Sequence, residues 1–373
     1  MLFASSMVFV DNKRIEVSVN QLILKSARVG LRLQIHDGSM PAGKSGPWNN
    51  PETPVRNTAH WAMTFQKAFE ITRDKQYLRA AIACCDYLVS GENRPNGFTF
   101  YCRKKVAGKD CSNGLIGQAW AVEPLLLLGE KHPDKPYWGT ADAVLSLHPY
   151  DWKQHGWRAV EINGSPLGFS RTLNQQIWFA AMAFIAGEKN EDLRASALDF
   201  FGFLSNHFTF LEPGLVCHRM FIKSLGKRVF TRLVDWKKGN DLRSLSIGYQ
   251  SCILYGLAKL ENKYPGRLLT VARIRDELRS MLEYILRKGP NDYGTNNPFA
   301  WSYNPTGIEV ACFMQSLSDQ LTIDSTVYSP ADWLNAQIQR HFDWQIGLMQ
   351  AGTSDPDVLA ARVYEAIDLL AIK

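Results

Sequence analysis

What most constrains this chain is a helical period that scarcely lets up from Val55 onward. Apolar residues recur at helical spacing through stretches near 57–72, 74–90, 113–130, 134–147, 171–187, 190–206, 241–262, 266–288, 305–321, 329–347 and 355–371. An earlier stretch, 17–28, makes twelve. The expected ends carry chemical signals. Asp74, Asn190 and Ser329 stand at N-cap positions, and Pro330 and Asp332 fill the first turn after Ser329. Asn304-Pro305 and Asp355-Pro356 repeat that arrangement, and Gly129 and Gly187 lie where helices should stop.

The helices read as hairpins. AFEITRDKQYLRAA, from Ala68, and AFIAGEKNEDLRAS, from Ala183, match at Ala-Phe and at Leu-Arg-Ala with an offset of 115 residues, or two hairpins. First helices begin near 57, 113, 171, 241 and 305, and a sixth near 355 must pair with the N-terminal helix. An open solenoid fits the repeat, but twelve helices with terminal pairing favour closure. The expected fold is all-α, one (α/α)6 toroid over residues 1–373, with two small β-hairpin insertions. FTFYCRKKVAGKD and CHRMFIKSLGKRVFTRLVDW supply the β-like stretches. The second is strongly basic around Lys227 and Arg228, either a solvated edge or a cationic lip for an anionic substrate.

Composition narrows the class. Apolar residues at 46% and charged residues at 21% are globular values, and the net charge of +6 is mild. Seven cysteines form neither a disulfide ladder nor a zinc pattern, and the first residues lack a basic region and a cleavage site. A reducing, cytoplasmic setting is expected, without a membrane span. No nucleotide, hydrolase-elbow or metalloprotease motif occurs, and no nucleic-acid reader motif, so neither cofactor, metal nor nucleic acid is expected.

The inner helices open on polar, aromatic phrases: RNTAHW, NGLIGQAWAVE, SRTLNQQIW, RSLSIGYQ and YNPTGIE. The outer ones open blandly, as in RDKQYLR. Polar first turns on buried helices imply a shared pocket at one end, where free helix N–H groups favour anionic or hydroxyl-rich ligands. With GQAW, TLNQQIWFAA and WSYNPTGIE, the chain resembles the six-hairpin toroid carbohydrate enzymes, which include unsaturated glucuronyl hydrolases, N-acylglucosamine 2-epimerases and uronyl C5-epimerases. The resemblance covers roughly residues 17–371 and implies a carbohydrate-active enzyme, without transferring a residue role.

Glycosidic cleavage wants two carboxyl groups about 5–9.5 Å apart. Asp37, in HDGSMPAGKSGPWNN, and Glu309, beside Trp301 and Tyr303, are the first candidates; Glu161 and Glu123 follow. Each has a structural alternative, Asp37 as the organiser of its own turn and Glu309 as a helix-dipole partner. His60 stands in the first turns of an inner helix, as a proton carrier or a core histidine. Arg56, Arg171 and Arg243 recur at inner-helix starts and could clamp carboxylates. Gln118, Asn174, Gln175, Tyr249, Gln250 and Asn304 would orient hydroxyls, and Trp48, Trp301 and Tyr303 would serve as platforms. The expected activity is a glycoside hydrolase on an anionic, uronic-acid-containing oligosaccharide. On the same scaffold an epimerase or lyase would use His60, Tyr303 or Glu309 to remove a proton, and a non-catalytic sugar-binding scaffold would lack facing carboxylates.

Overall fold

Twelve helices alternate between an outer and an inner ring in the computed structural model, which describes residues 5–10, 13–220, 241–266, 268–270, 272–323 and 327–370. The outer helices are α1 (Val19–Leu33), α3 (Lys75–Val89), α5 (Tyr137–Ser146), α7 (Glu191–Gly202), α9 (Ala272–Asp292) and α11 (Pro330–His341). The inner helices are α2 (Val55–Thr72), α4 (Gly114–Lys131), α6 (Leu173–Ala186), α8 (Leu242–Lys263), α10 (Thr306–Leu321) and α12. The last spans Pro356–Ala361 and continues as a 3-10 helix over Arg362–Leu370.

Sequence sorts the two rings. LNQQIWFAAMAFIA in α6 and GLIGQAWAVEPLLLLGEK in α4 are apolar on nearly every side, as helices surrounded by protein must be. ARIRDELRSMLEYILRK in α9 carries one apolar stripe and keeps its charges on the opposite face. Each inner helix packs on the next, α2 on α4, α4 on α6, α6 on α8, α8 on α10 and α10 on α12, and α12 returns to α2. The toroid is closed. Its N-terminal helix α1 lies against α2 and the Arg362–Leu370 segment, which is the terminal pairing the repeat demanded.

The β-structure differs from expectation. Residues 98–110 form no strand and contribute only a bridge between Arg103 and Glu52. The basic stretch lies outside the described residues beyond position 220, Lys227, Arg228 and Trp236 included. Strands occur instead as β1 (Ser5–Val10) with β2 (Lys13–Ser18), and as a three-stranded sheet of β3 (Tyr150–Asp151), β4 (Gly156–Val160) and β5 (Pro166–Phe169) between α5 and α6. Two short pairs complete the set, β6 (Phe210–Glu212) with β7 (Leu215–Val216) and β8 (Phe342–Asp343) with β9 (Leu348–Met349). The last pair ends α11 six residues before the periodicity does. Asp343 accepts from the Gln345 and Ile346 N–H groups (2.9 and 3.0 Å), a side-chain turn that competes with the helix.

Buried glutamines tie the long loops to the rings. The Gln118 amide accepts from Phe100 N–H (2.7 Å) and donates to the carbonyls of Phe100 and Ser112 (3.1 and 2.7 Å). Gln176 treats Trp157 and Ser170 the same way, at 2.9, 2.8 and 2.8 Å. Gln250 joins Val216, Gly214 and Met281, and Gln337 of α11 joins Gly307 and Trp301. Each amide supplies the partners that loop backbone entering a dry interior would otherwise lack. Replacing Gln176 by Leu should therefore strand the Trp157 N–H and the Ser170 carbonyl, at about 1–3 kcal/mol each where they stay buried, while the Trp157 carbonyl keeps the Ser170 N–H. The expected outcome is an unfolding free energy lowered by several kcal/mol, read as a lower urea midpoint at unchanged slope; an unchanged midpoint would show that the loop finds other partners.

Candidate active site

The N-terminal ends of the six inner helices meet at one end of the toroid, and the loops leading into them gather there. The loop between α1 and α2 travels farthest. The Lys44 N–H donates to Asp355 at the start of α12 (2.6 Å), and Trp48 reaches Phe299 and Tyr249, with ring centroids 5.1 and 6.4 Å away. Gly46 lies directly on the Tyr303 ring with φ +51, so a side chain there would collide with the phenol and strain the backbone. Trp48 thereby roofs the mouth from the α8 side, half-buried, with Lys109 Nζ 6.0 Å from its ring centre.

Beneath this roof, buried polar atoms stand without protein partners. Arg56, 1% exposed, donates from Nη2 to the Lys44 carbonyl (2.8 Å) and lies 2.7 Å from Glu52, but its Nε and Nη1 have none. His60 stacks on Tyr364 (4.5 Å) and meets Trp120 edge-on (5.4 Å), and its Nε2 is unpartnered, as is Trp120 Nε1. The Arg56 guanidinium sits 5.4 Å from the Trp120 ring, so these three groups share one wall. On the α6 side Asn174 Oδ1 and His218 Nδ1 are likewise unpartnered, and His218 stacks on Tyr249 (5.8 Å). Leaving such atoms unsatisfied costs about 1–3 kcal/mol each, so their grouping marks a place completed by a hydroxyl-rich ligand or by water.

Electrostatics set the protonation. Burial pushes His60 well below the usual imidazole range, and Arg56, Arg362 and Lys259 add to it; burial and Arg219 bring His218 down to about 3. Both imidazoles are neutral at pH 7. Arg362 is the opposite of Arg56. It donates to Glu365 (2.6 Å), Glu309 (2.8 Å), Asn304 Oδ1 (2.6 Å) and the Tyr303 carbonyl (3.3 Å). Ser251 donates to the second Glu309 oxygen (2.6 Å). Two buried carboxylates sharing one cation cannot both ionise cheaply, and burial pushes Glu309 up and Glu365 up to about 8. Farther down the axis, Asp368 and Glu123 outweigh the burial of Lys259 and keep it protonated, at 2.9 and 2.6 Å.

The expected carboxylate pair is not assembled. Asp37 is exposed, and Ser39 donates to it from N–H (2.9 Å) and Oγ (2.7 Å), bonds that hold its carboxyl below the ordinary range. Its neighbour Gly38 rests on Ala83 of α3, outside the inner ring, whereas Glu309 is wholly buried within it. Asp37 is a turn organiser. Glu123 is bound up with Lys259, and Glu161 stands at the mouth, where the Cys111 N–H donates to its two oxygens (2.9 and 3.1 Å). Several expected sugar contacts are structural instead. Gln118 and Gln250 are loop clamps, and Asn304 donates to the Gly248 and Phe299 carbonyls (2.9 and 2.7 Å). Trp301 is sandwiched between Trp333 (6.0 Å) and the Arg340 guanidinium (4.1 Å), and Arg243 is an exposed partner of Glu212. Arg56, His60, Tyr249, Tyr303 and Trp48 do come together, and Arg171, Gln175 and Glu161 line an adjoining cleft of about 850 Å3. Sequence reasoning passed over Glu52, Arg362, Glu365 and Lys259. The signal available was a charge on an inner helix, as in ARVYEA, where Arg362 and Glu365 stand three apart.

No family model matches the sequence. It is 36% identical over 370 residues to archaeal glycosylation protein Q of Haloferax volcanii, across 94% of this chain and 97% of that protein. The chain belongs to the family of archaeal glycosylation protein Q. Among solved structures it is similar to a D-mannose isomerase (TM-score 0.67, 12% identity, 95% and 96% of the two chains) and to cellobiose 2-epimerase of Bacillus thermoamylovorans (0.63, 10%, 94% and 99%). A heparin-specific unsaturated glucuronyl hydrolase gives 0.61 at 10% identity, over 94% and 95%. At these identities the likeness is one of fold, the (α/α)6 toroid.

Glu365 gives a pH test of this charge arrangement. Its folded pKa lies above the unfolded value, so its stabilising contribution is full below about pH 4.5 and is lost as pH rises through about 8. Glu365→Gln mimics the protonated form. The variant should gain stability relative to the parent between pH 5 and 8, measured by urea unfolding; a difference constant across that range would contradict the shared proton.

Proposed function

We propose that this family member is a sugar-converting enzyme of glycosylation, moving a proton at a carbon next to a carbonyl or carboxylate, as an epimerase or isomerase does. The observation that carries the reading is His60: a neutral, buried imidazole with an unpartnered Nε2, beside an arginine whose Nε and Nη1 are also open. Removing such a proton leaves negative charge on the adjacent oxygen. The Arg56 guanidinium and the Trp120 N–H are fixed donors at the same wall, in a dry site where their field is strong. Tyr303, whose phenol burial keeps protonated, is a group able to return the proton. The half-buried Trp48 indole at the mouth offers a flat face for a second sugar ring, which supports an oligosaccharide or disaccharide-sized substrate. The cytoplasm is the proposed compartment.

A glycoside hydrolase on an anionic oligosaccharide is the second reading. The one feature favouring it is Glu161, a carboxylate at the open cleft beside Asp110. Against it, Glu52, Glu123, Glu309 and Glu365 are committed to Arg56, Lys259 and Arg362 rather than facing one another across open space.

His60→Asn removes the base while keeping a polar group of similar reach. It should lower kcat by at least the ~10²-fold expected for a lost general base and keep the thermal midpoint close to that of the parent. Asp37→Asn should turn over normally. Near-normal turnover in His60→Asn, or a comparable loss in Glu161→Gln alone, would transfer the chemistry to the cleft carboxylates.

A further inference from the structure

The cleft beside the axial site has chemistry of its own that proton transfer does not use. It lies between the loop leading into α4 and the β4–β5 hairpin, and encloses about 850 Å3. The start of α6 connects the two: Asn174 turns inward to the buried layer, while Gln175, one residue on, lines the cleft. A substrate whose reactive sugar reaches His60 would extend its remaining part here.

The charges in this cleft are unequally committed. Both its acids are already occupied, Glu161 by backbone and Asp110 by backbone, a hydroxyl and the Arg103 guanidinium 3.7 Å away. Asp110 accepts from the Gly114 N–H (2.7 Å) and from Ser112 Oγ (3.1 Å), and Glu161 accepts from Cys111. Arg103 is the buried wall, donating to Asn113 and to the Asp110 carbonyl (3.1 Å). Lys105 and Arg171 are exposed into the cleft and pair with no carboxylate among the described residues. Gly108 and Gly168 stand on opposite walls at positive φ with open space where side chains would be, so nothing fills the cleft between the cations. The acids are thus held by the loop and by Arg103, while Lys105 and Arg171 face the opening, where a lining of one charge sign raises the local concentration of an anionic ligand.

We infer that this cleft is an oxyanion subsite, in which Arg171 and Lys105 receive a phosphate or carboxylate carried by the part of the substrate remote from the reacting carbon. Arginine suits either group, since its planar fork matches two oxygens at once. The inference rests on the axial site holding the sugar that reacts, and it is tested by binding rather than by turnover.

Titration calorimetry at low salt with inorganic pyrophosphate, and separately with glucuronate, distinguishes the two sources of the oxyanion. For the intact chain, at least one probe should bind, and Arg171→Ala combined with Lys105→Ala should weaken it by about tenfold or more. The binding should fall as salt is raised, because such contacts are screened over about 10 Å at 0.1 M. His60→Asn should leave it unchanged, which separates this inference from the proposed chemistry. Arg243→Ala, an exposed arginine outside the cleft, should also leave it unchanged. Binding lost equally in Arg243→Ala, binding indifferent to the double variant, or no binding of either probe would overturn the subsite. If Arg171→Ala with Lys105→Ala unfolds the protein, Arg171→Gln alone must still weaken the probe that binds, and its failure to do so would equally overturn it.

Discussion

The ring is pinned at the Arg362 guanidinium. This one side chain takes Glu309 from α10, Glu365 from its own turn, and Asn304 and the Tyr303 carbonyl from the loop before α10. Its segment is the last inner one and the one that must return to α2, so the cluster sits where the toroid closes. Charges this deep are costly unless fully paired, and removing one partner of a buried pair costs about 3–5 kcal/mol. The arrangement thus fixes the register of α10 against α12, and with it Tyr303, on whose ring the Gly46–Trp48 roof is laid.

The same geometry explains why two arginines at one end have different uses. Arg362 has spent its hydrogen-bonding capacity on protein and acts as a brace. Arg56, whose guanidinium lies 5.4 Å from the same Trp120 ring that Arg362 approaches to 5.9 Å, retains open N–H groups, and its charge helps to hold His60 neutral. A buried imidazole next to two guanidinium groups is tolerated because the folded chain holds it in its neutral form.

The helical alternation and the ring closure were legible in the sequence, because periodicity is a local signal. The polar phrase RNTAHW did yield Arg56 and His60. What sequence could not separate was a polar residue that faces a ligand from one that clamps a loop. Gln118 and Gln176 look alike in GQAW and NQQIW, and only the backbone of a distant loop gives them their role. Asp37 was misread for the same reason: a Gly/Pro-rich loop signals a turn, and Ser39 completes one around its carboxylate. The short strands of β3 to β9 were beyond reach, since two to five residues carry too little alternation.

The central claim is that this site moves a proton on carbon. Incubating the protein in heavy water with a panel of hexoses, hexuronates and their disaccharides tests it directly. The account predicts a sugar product carrying deuterium on the carbon next to its carbonyl or carboxylate, seen by NMR and as a one-unit mass increase. Release of a shorter sugar with no deuterium on carbon would contradict it.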